Sequence, residues 1–373
     1  MKGSSQLRYV LYATAFVSVL CPNAMVRGRE KTVENRLIDE LQLPFVTNAV
    51  ATTTDNRLFL NVSHLDGSAG PRVVEWRDGK AKPYPDETWN EKASSANAGS
   101  HLVLVNSLRI GPDGDLWLVD VGSPAFGELT LPHGPKLVQV DIARNVVRRV
   151  YDLTPLTSAK SFVDDVRFHG RTAYLTDAGD PGLIVLDLGT GVGLRVLEGT
   201  SSVTAVNPIS AEGRVLLDAK DKPVYVQADQ LEVSPDGRWL YYQPACGPLS
   251  KIETRWLAPQ VEESDRLKHV KHVAITPSTG GTAIDNAGNI YMSDTNKQRI
   301  LKISPTGAIS TLFHDPRLLW VDAMWIDSQG FLWMPAAQLN RLSIFHQRES
   351  NVVFPVHVFK LHIDARPARN DHS

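Results

Sequence analysis

The sequence predicts an all-β protein, a six-bladed β-propeller, and two observations support this fold. A tight turn between two extended runs occurs six times, and an aromatic residue follows each turn by three or four positions. A period on the order of 40–60 residues holding several short strands is typical of propeller blades. The turn positions are Asn56, Gly114, Gly170, Gly237, Gly288 and Gly330, and the aromatics are Phe59, Trp117, Tyr174, Tyr241, Tyr291 and Trp333.

The second copy of the repeat shows the local pattern clearly. Residues 106–120 contain an extended run, the turn Pro112-Asp113-Gly114 and a second run rich in β-formers. Asp-Gly between two such runs favours a hairpin, because Gly accepts a positive φ. The alternative is a chance series of hairpins in a β-sandwich, and the shared position of the aromatics argues against it.

Composition fits one soluble globular domain. The chain has 373 residues, 42% of them hydrophobic, and a formal net charge of −2. With so little net charge, no bulk electrostatic field recruits nucleic acid, so nucleic acid is not an expected partner. Because the repeats extend from about residue 45 to the C-terminus, a single closed propeller explains the length better than two domains.

The N-terminus resembles a secretory signal peptide, assigned to residues 1–24. Lys2 and Arg8 precede an apolar run at residues 9–21, and the small residue Ala24 follows it. The run is shorter than the ~20 residues of a membrane span, so no stable membrane anchor is expected. A lipid anchor on Cys21 is an open alternative, although Leu20 stands where a small residue is expected. The predicted location is secreted or periplasmic.

The rest of the chain divides into three segments. A polar segment, residues 25–42, leads into the propeller, residues 43–365, and residues 366–373 are predicted to be a flexible tail. Once the signal peptide is removed, Cys246 is the one remaining cysteine, which leaves no internal disulfide.

Polar residues recur at one position of the repeat, at the start of the first strand of each hairpin. Counting back eight from the turn gives Asn48, Asn106, Asp229, Gly280 and Asp322. In the third copy the turn is tighter, and the equivalent is Asp164 or Asp165, of which Asp165 is taken as the site residue. Since the first strand of each blade lines the axis, these side chains are predicted to converge at one mouth of the central channel.

Carboxylates and carboxamides at one point suit a hard cation or a cationic ligand. We therefore predict a ligand site at Asn48, Asn106, Asp165, Asp229 and Asp322, with Trp320 as the floor of the pocket. Asp165, Asp229 and Asp322 are the candidate metal ligands, with Ca²⁺ as the candidate ion. The alternative is that these Asn and Asp residues only cap turns with their own side chains.

Four stretches resemble motifs of the major royal jelly protein/Yellow family. They are residues 161–166, 229–243, 288–295 and 319–323. They are more distantly similar to the senescence marker protein-30/gluconolactonase group. The resemblance implies a six-bladed propeller and an exported protein. It also implies a function among those of Yellow-type proteins, which range from dopachrome conversion to the binding of biogenic amines.

The chain departs from both groups in ways that bear on function. The disulfide cysteines of the animal family are missing, as in a bacterial-type member. The lactonases use a Glu on the first inner strand as a metal ligand, and this chain has Asn48 there. The expected function is therefore binding of a small aromatic or cationic molecule at the channel mouth. The alternatives are a metal-dependent lactonase-like hydrolase or dopachrome-type isomerase, and a protein-interaction scaffold.

Overall fold

Six four-stranded antiparallel sheets form the blades of a β-propeller in the computed structural model, which describes residues 1, 36–346 and 349–369. The fold predicted from the repeats is confirmed. The described residues from 36 to 369 belong to one compact unit. The predicted signal peptide, Cys21 and most of the polar segment lie outside the described residues.

The strands follow the chain blade by blade, and in blades one to five the first strand is nearest the axis. The chain enters through β1 (Ile38–Leu43), which belongs to blade six. Blade one contains β2 (Val50–Thr52), β3 (Leu58–Asn61), β4 (Val73–Arg77) and β5 (Lys80–Pro83). Blade two contains β6 (Val105–Ile110), β7 (Leu116–Asp120), β8 (Lys136–Asp141) and β9 (Val146–Asp152). Blade three contains β10 (Val163–His169), β11 (Thr172–Asp177), β12 (Gly182–Asp187) and β13 (Gly193–Val196).

The second half of the ring repeats this order after a small insertion. A two-stranded hairpin, β14 (Ser210–Ala211) and β15 (Arg214–Val215), precedes blade four. Blade four contains β16 (Ala228–Val233), β17 (Trp239–Pro244), β18 (Leu249–Glu253) and β19 (Lys271–Ala274). Blade five contains β20 (Thr282–Ile284), β21 (Ile290–Asp294), β22 (Arg299–Ile303) and β23 (Ile309–His314). Blade six contains β24 (Trp325–Ile326), β25 (Phe331–Pro335), β26 (Val356–His362) and β1.

Short helical segments lie in the connections between strands. The α-helix is α1 (Glu263–His269), between the last two strands of blade four. The 3₁₀ turns are Thr88–Asn90, Ala98–Ser100, Thr154–Leu156, Thr254–Leu257, Leu339–Arg341 and Ser343–Phe345. Within the described residues, no helix is both long enough and apolar enough to span a bilayer.

The ring closes by pairing the two ends of the propeller. β1 forms the outer strand of blade six and pairs antiparallel with β26, with Ile38 opposite Lys360. The ammonium of Lys360 lies 2.9 Å from the carboxylate of Glu40 across this pair. The propeller therefore begins at Ile38, and the boundary predicted at residue 43 is too late. A strand whose partner lies at the far end of the chain has no local hairpin signal.

The start of the predicted flexible tail is packed against blade five. The backbone N–H of Asn286 donates to the carbonyl of Arg366 at 2.8 Å, and Pro367 forms a bridge with Asp285. Ala368 is fully buried in the core of this blade. The prediction of a tail from residue 366 is therefore wrong for residues 366–368, and residues 370–373 lie outside the described part of the chain.

The recurring aromatics occupy equivalent strands, as the repeat predicts. Each lies on the second strand of its blade, that is on β3, β7, β11, β17, β21 and β25. In three blades the aromatic donates a hydrogen bond to an aspartate of the turn before it, and the pairs are Trp117–Asp113 (3.0 Å), Tyr291–Asp285 (2.9 Å) and Trp333–Asp327 (2.8 Å). In these three blades, the bond explains why the number of residues between the turn and the aromatic is constant.

Aspartates at the end of second strands hold the loops that lead into the inner strands. Asp120 accepts hydrogen bonds from the backbone N–H groups of Val103 and Leu104 at 2.8 and 3.0 Å, and from the Lys136 ammonium at 2.6 Å. Asp177 likewise accepts hydrogen bonds from the backbone N–H of Phe162, just before β10, and from Arg195, each at 2.8 Å. These bonds fix the backbone from which the side chains at the channel mouth project.

Replacing Asp120 by alanine should lower the free energy of unfolding by about 3–5 kcal/mol. The change leaves the ammonium of Lys136 buried without its carboxylate, since both side chains are almost fully inaccessible. Urea unfolding of the purified variant measures this loss. Asp265→Ala, which removes an exposed partner of Lys268, is the control and should leave the midpoint nearly unchanged. Equal effects of the two changes would contradict the assignment.

Candidate functional site

A cavity opens at one mouth of the channel, where the residues that precede the inner strands converge. About 60 Å³ of it is open to the centre of a water-sized molecule, and the non-atom space amounts to about 550 Å³ when the open solvent at its rim is included. Its polar side is formed by Asn106, Asp164, Asp229 and Asp322, beside Gly280. Of the residues predicted from the repeat, the structure thus brings Asn106, Asp229 and Asp322 together around one space.

A one-residue bulge positions the polar residues of blades two, three and four. The register of each inner strand shifts between Val105 and Ser107, between Val163 and Val166, and between Ala228 and Leu231. A bulge leaves one residue unpaired and re-aims side chains next to it. The shifts bracket Asn106, the Asp164–Asp165 pair and Asp229, so the same distortion presents the site residue of each blade to the mouth.

Carboxamides form a chain of hydrogen bonds that runs around the mouth toward Asp164. Asn61 donates from Nδ2 to Oδ1 of Asn48. Asn48 in turn donates to the carbonyl of Asn106 at 2.9 Å, and Asn106 donates to Oδ1 of Asp164 at 2.8 Å. Asn48 therefore lies one hydrogen bond behind the cavity wall, where it supports Asn106 from the side of blade one.

Asp164, which is half-buried, and Asp229, which is buried, form a hydrogen-bonded pair of carboxyl groups. Burial raises the pKa of Asp164 well above its usual value, and the negative charge of Asp229 raises it further. Burial also raises the pKa of Asp229, to about 6, although the hydrogen bond from Asp164 opposes this shift. Two carboxyl groups can share a hydrogen bond only through a proton, so the pair holds one proton when both are in contact.

Asp322 is the third carboxyl group of the cavity, and it is held by two donors. The indole Nε1 of Trp320 donates to Oδ2 at 2.8 Å, and the backbone N–H of Ala323 donates to Oδ1 at 2.9 Å. Burial raises the pKa of Asp322 well above its usual value, and the charge of Asp229 adds to this effect. Trp320, predicted as the floor of the pocket, therefore lies in the cavity wall and orients an acidic neighbour.

Asp165 does not belong to the cavity, and its assignment as the site residue of blade three needs correction. Its carboxylate accepts hydrogen bonds from Arg167 at 2.6 Å and from the hydroxyl of Ser107. Burial alone would raise the pKa of Asp165, but the charges of Arg167 and Arg109 hold it below its usual value. The carboxylate is already neutralised inside the channel, and Asp164 takes the position at the mouth.

The same arginine also pairs with an acid of blade four. Arg167 is buried and forms a bidentate pair with Glu232, at 2.7 and 2.8 Å. Glu232 also accepts a hydrogen bond from the hydroxyl of Thr282 at 2.8 Å. Paired charges thus connect blades two to four and a hydroxyl adds blade five, so these inner charges are balanced while the carboxyl groups at the mouth are not.

The remaining wall of the cavity is apolar and comes from loops of several blades. Its side chains are Leu65, Phe126, Phe162, Ala178, Ile209, Val226, Trp320, Leu339 and Phe345. The ring of Phe126 meets those of Phe162 and Phe345 edge to face, with centroids 5.7 and 5.9 Å apart. Sequence reasoning missed this wall apart from Trp320, because the loops differ in length and share no position in the repeat.

The donor set predicted for Ca²⁺ is not assembled. Asp165 faces Arg167, and both oxygens of Asp322 already accept hydrogen bonds. In the part of the chain that the structure describes, no group of three His, Cys, Asp or Glu residues is arranged to hold a metal ion. The predicted trio of Asp165, Asp229 and Asp322 therefore does not converge on one point, because Asp165 is directed to Arg167.

Comparison of the sequence with protein families gives one match over most of the propeller. The model of the major royal jelly protein family matches residues 105–365. No curated protein is detectably similar in sequence to the chain.

Solved structures share the fold at low sequence identity. A luciferin-regenerating enzyme is 12% identical over 91% of this chain and 99% of its own, with a TM-score of 0.56. A gluconolactonase from Xanthomonas campestris is 14% identical over 88% and 90%, with a TM-score of 0.54. A streptogramin B lyase is 12% identical over 87% and 97%, with a TM-score of 0.50. At such identities the likeness establishes the propeller and no activity.

The two neighbouring aspartates of blade three should respond oppositely to neutralisation. Asp164→Asn should gain stability relative to wild type as the pH rises from about 5 to about 8, by on the order of 1–3 kcal/mol. The folded state keeps this carboxyl protonated above its usual pKa of 3.8, so its contribution to stability falls with rising pH. An asparagine keeps the hydrogen bonds without that cost.

Asp165→Asn is the matched control. Folding lowers the pKa of Asp165, so its contribution is present above about pH 4 and is lost in acid. This variant should be less stable than wild type by a constant amount between about pH 5 and pH 8, and the difference should shrink only below about pH 4. Thermal unfolding of both variants from about pH 3 to about pH 8 gives the comparison, and a stabilised Asp165→Asn at about pH 8 would contradict the placement of the two side chains.

Proposed function

The chain belongs to the major royal jelly protein family, and we propose that it binds a small aromatic amine at the mouth of its channel. The uncompensated carboxyl groups of Asp164, Asp229 and Asp322, here called the carboxyl floor, share one cavity with an apolar wall that includes four aromatic side chains. This pairing is the observation that carries the proposal. A ligand that matches both surfaces has a positive charge at one end and a planar ring at the other.

The floor favours a cation because the charges around it are negative. Among the described residues, the charged groups that act most strongly on Asp164, Asp229 and Asp322 are other aspartates. A buried carboxylate that lacks a cation is destabilised by lost hydration and by repulsion. An ammonium group relieves both effects, since it supplies the opposite charge and up to three hydrogen-bond donors.

The wall favours an aromatic body over a second polar group. The wall contains three phenylalanine rings, those of Phe126, Phe162 and Phe345, and the first of them contacts the other two edge to face. Leu65 and Leu339 line the same wall. Ligand cavities with mostly apolar walls and a few converging polar groups use the polar groups to orient the ligand. Here the ammonium lies at the carboxyl floor and the ring lies against the apolar wall.

An isomerase of catechol-derived compounds is the second candidate, favoured by the proton that Asp164 and Asp229 share. A carboxyl pair with raised pKa values can deliver a proton at one atom of a ligand and accept one at another. The lactonase-like alternative depends on a metal, and the donor set for that metal is not assembled. Recovery of the amine unchanged after incubation supports binding, whereas its conversion supports the isomerase.

Replacing Asp229 by asparagine should weaken the binding of 2-phenylethylamine at least tenfold, which corresponds to about 1.4 kcal/mol. The variant keeps the shape of the floor and removes the charge that balances the ammonium. Isothermal titration calorimetry at about pH 7.5, with and without a chelator, measures the affinity. The chelator should have no effect on binding, since no metal takes part in the proposed complex.

The neutral analogue 2-phenylethanol is the control for charge. It should bind the wild-type protein more weakly than the amine and should lose little affinity in Asp229→Asn. The proposal fails if the amine and the alcohol bind the wild type equally well, or if Asp229→Asn binds the amine as tightly as the wild type does.

A further inference from the structure

Gly280 interrupts the series of polar residues at the mouth, and the space that it leaves is occupied by Trp320. A Cβ atom added at Gly280 would lie 2.5 Å from the carbonyl oxygen of Val321 and 3.0 Å from the indole Nε1. No residue larger than glycine fits there unless both the backbone at Val321 and the indole move. Blade five therefore has no polar side chain at this position. The indole of Trp320, which belongs to blade six, lies in that sector of the mouth instead.

The backbone of Trp320 adopts an unusual conformation to achieve this. Its φ is +51°, in the left-handed region that bulky residues rarely enter. Its carbonyl accepts a hydrogen bond from Ala337 at 3.1 Å, and the carbonyl of Leu319 accepts one from Gln338 at the same distance. Strained conformations held in this way cluster at ligand sites, where they place a side chain that relaxed backbone would not.

The indole is fixed at its edge, and a small part of its surface lines the cavity. Its Nε1–H donates to Asp322 at 2.8 Å, so the ring cannot rotate without losing that bond. Trp320 lies in the cavity wall, and only 6% of its surface is accessible. Because its one polar atom is engaged with Asp322, the ring presents an apolar surface to the cavity. A planar ring stacks well on such a surface, whereas a saturated ring makes fewer close contacts with it.

We propose that Trp320, seated over Gly280, selects the aromatic ring of the ligand and sets the direction in which the ligand lies. The ring of the amine stacks in the sector of blades five and six. The ammonium points across the mouth to Asp164 and Asp229 in blades three and four. This inference rests on the proposed function and adds the residue that distinguishes a flat ring from a saturated one of similar size.

The test compares 2-phenylethylamine with 2-cyclohexylethylamine, which has the same charge and chain but a saturated ring. The wild-type protein should prefer the aromatic amine by about tenfold. Trp320→Leu should bring the two affinities within about twofold of each other, while Trp320→Phe should keep most of the preference. Trp320→Met replaces the leucine variant if that one does not fold. Trp256→Leu changes a tryptophan that stacks on His269 outside the cavity and should leave the ratio as in wild type.

The outcomes separate this inference from the proposed function. If the wild type binds neither amine, the proposed function fails and this inference fails with it. If the wild type binds both amines and Trp320→Leu, or Trp320→Met in its place, keeps the original ratio, only the role of Trp320 is overturned. The role of Trp320 is also overturned if Trp320→Phe loses the preference for the aromatic amine as completely as the aliphatic variant does, since the phenylalanine variant still has an aromatic ring. A collapsed ratio in the aliphatic variants with a preserved ratio in Trp320→Phe supports it.

Discussion

Closure of the ring is the interaction on which the rest of the structure depends. β1 and β26 pair at the outer edge of blade six, and at the axis Ala323 donates to the carbonyl of Asn48 at 3.0 Å, which ties blade six to blade one. With both ties in place, the inner strands of all six blades are held around one axis. Residues far apart in the chain then meet at one mouth, and water has little access to the space between them.

The crowding of polar groups at the axis is resolved in two different ways. Inside the channel, acids and arginines are paired, as in the contacts of Arg167 with Asp165 and Glu232. At the mouth, Asp164 and Asp229 form a hydrogen-bonded pair and Asp322 is held by neutral donors. The first arrangement stabilises the folded ring. The second leaves negative charge available to a ligand, and adjacent residues 164 and 165 belong to different arrangements because the bulge between Val163 and Val166 re-aims the side chains there.

Much of the fold could be predicted from sequence, because the turn and the aromatic of each blade are close together in the chain, and in three blades a hydrogen bond links them. The same offset located Asn106, Asp229 and Asp322 at the mouth. It could not choose between Asp164 and Asp165, since a bulge between Val163 and Val166 decides which of them faces the cavity. The partners of β1 and the apolar wall depend on contacts between distant segments, and no repeat marks them.

A crystal structure of the protein with 2-phenylethylamine bound tests the central claim most directly. The account predicts the amine nitrogen within about 2.7–3.2 Å of a carboxyl oxygen of Asp164 or Asp229. It also predicts the ring stacked on Trp320 in the sector of blades five and six. An amine that binds outside the mouth, or one whose nitrogen points away from both carboxyl groups, would contradict the account.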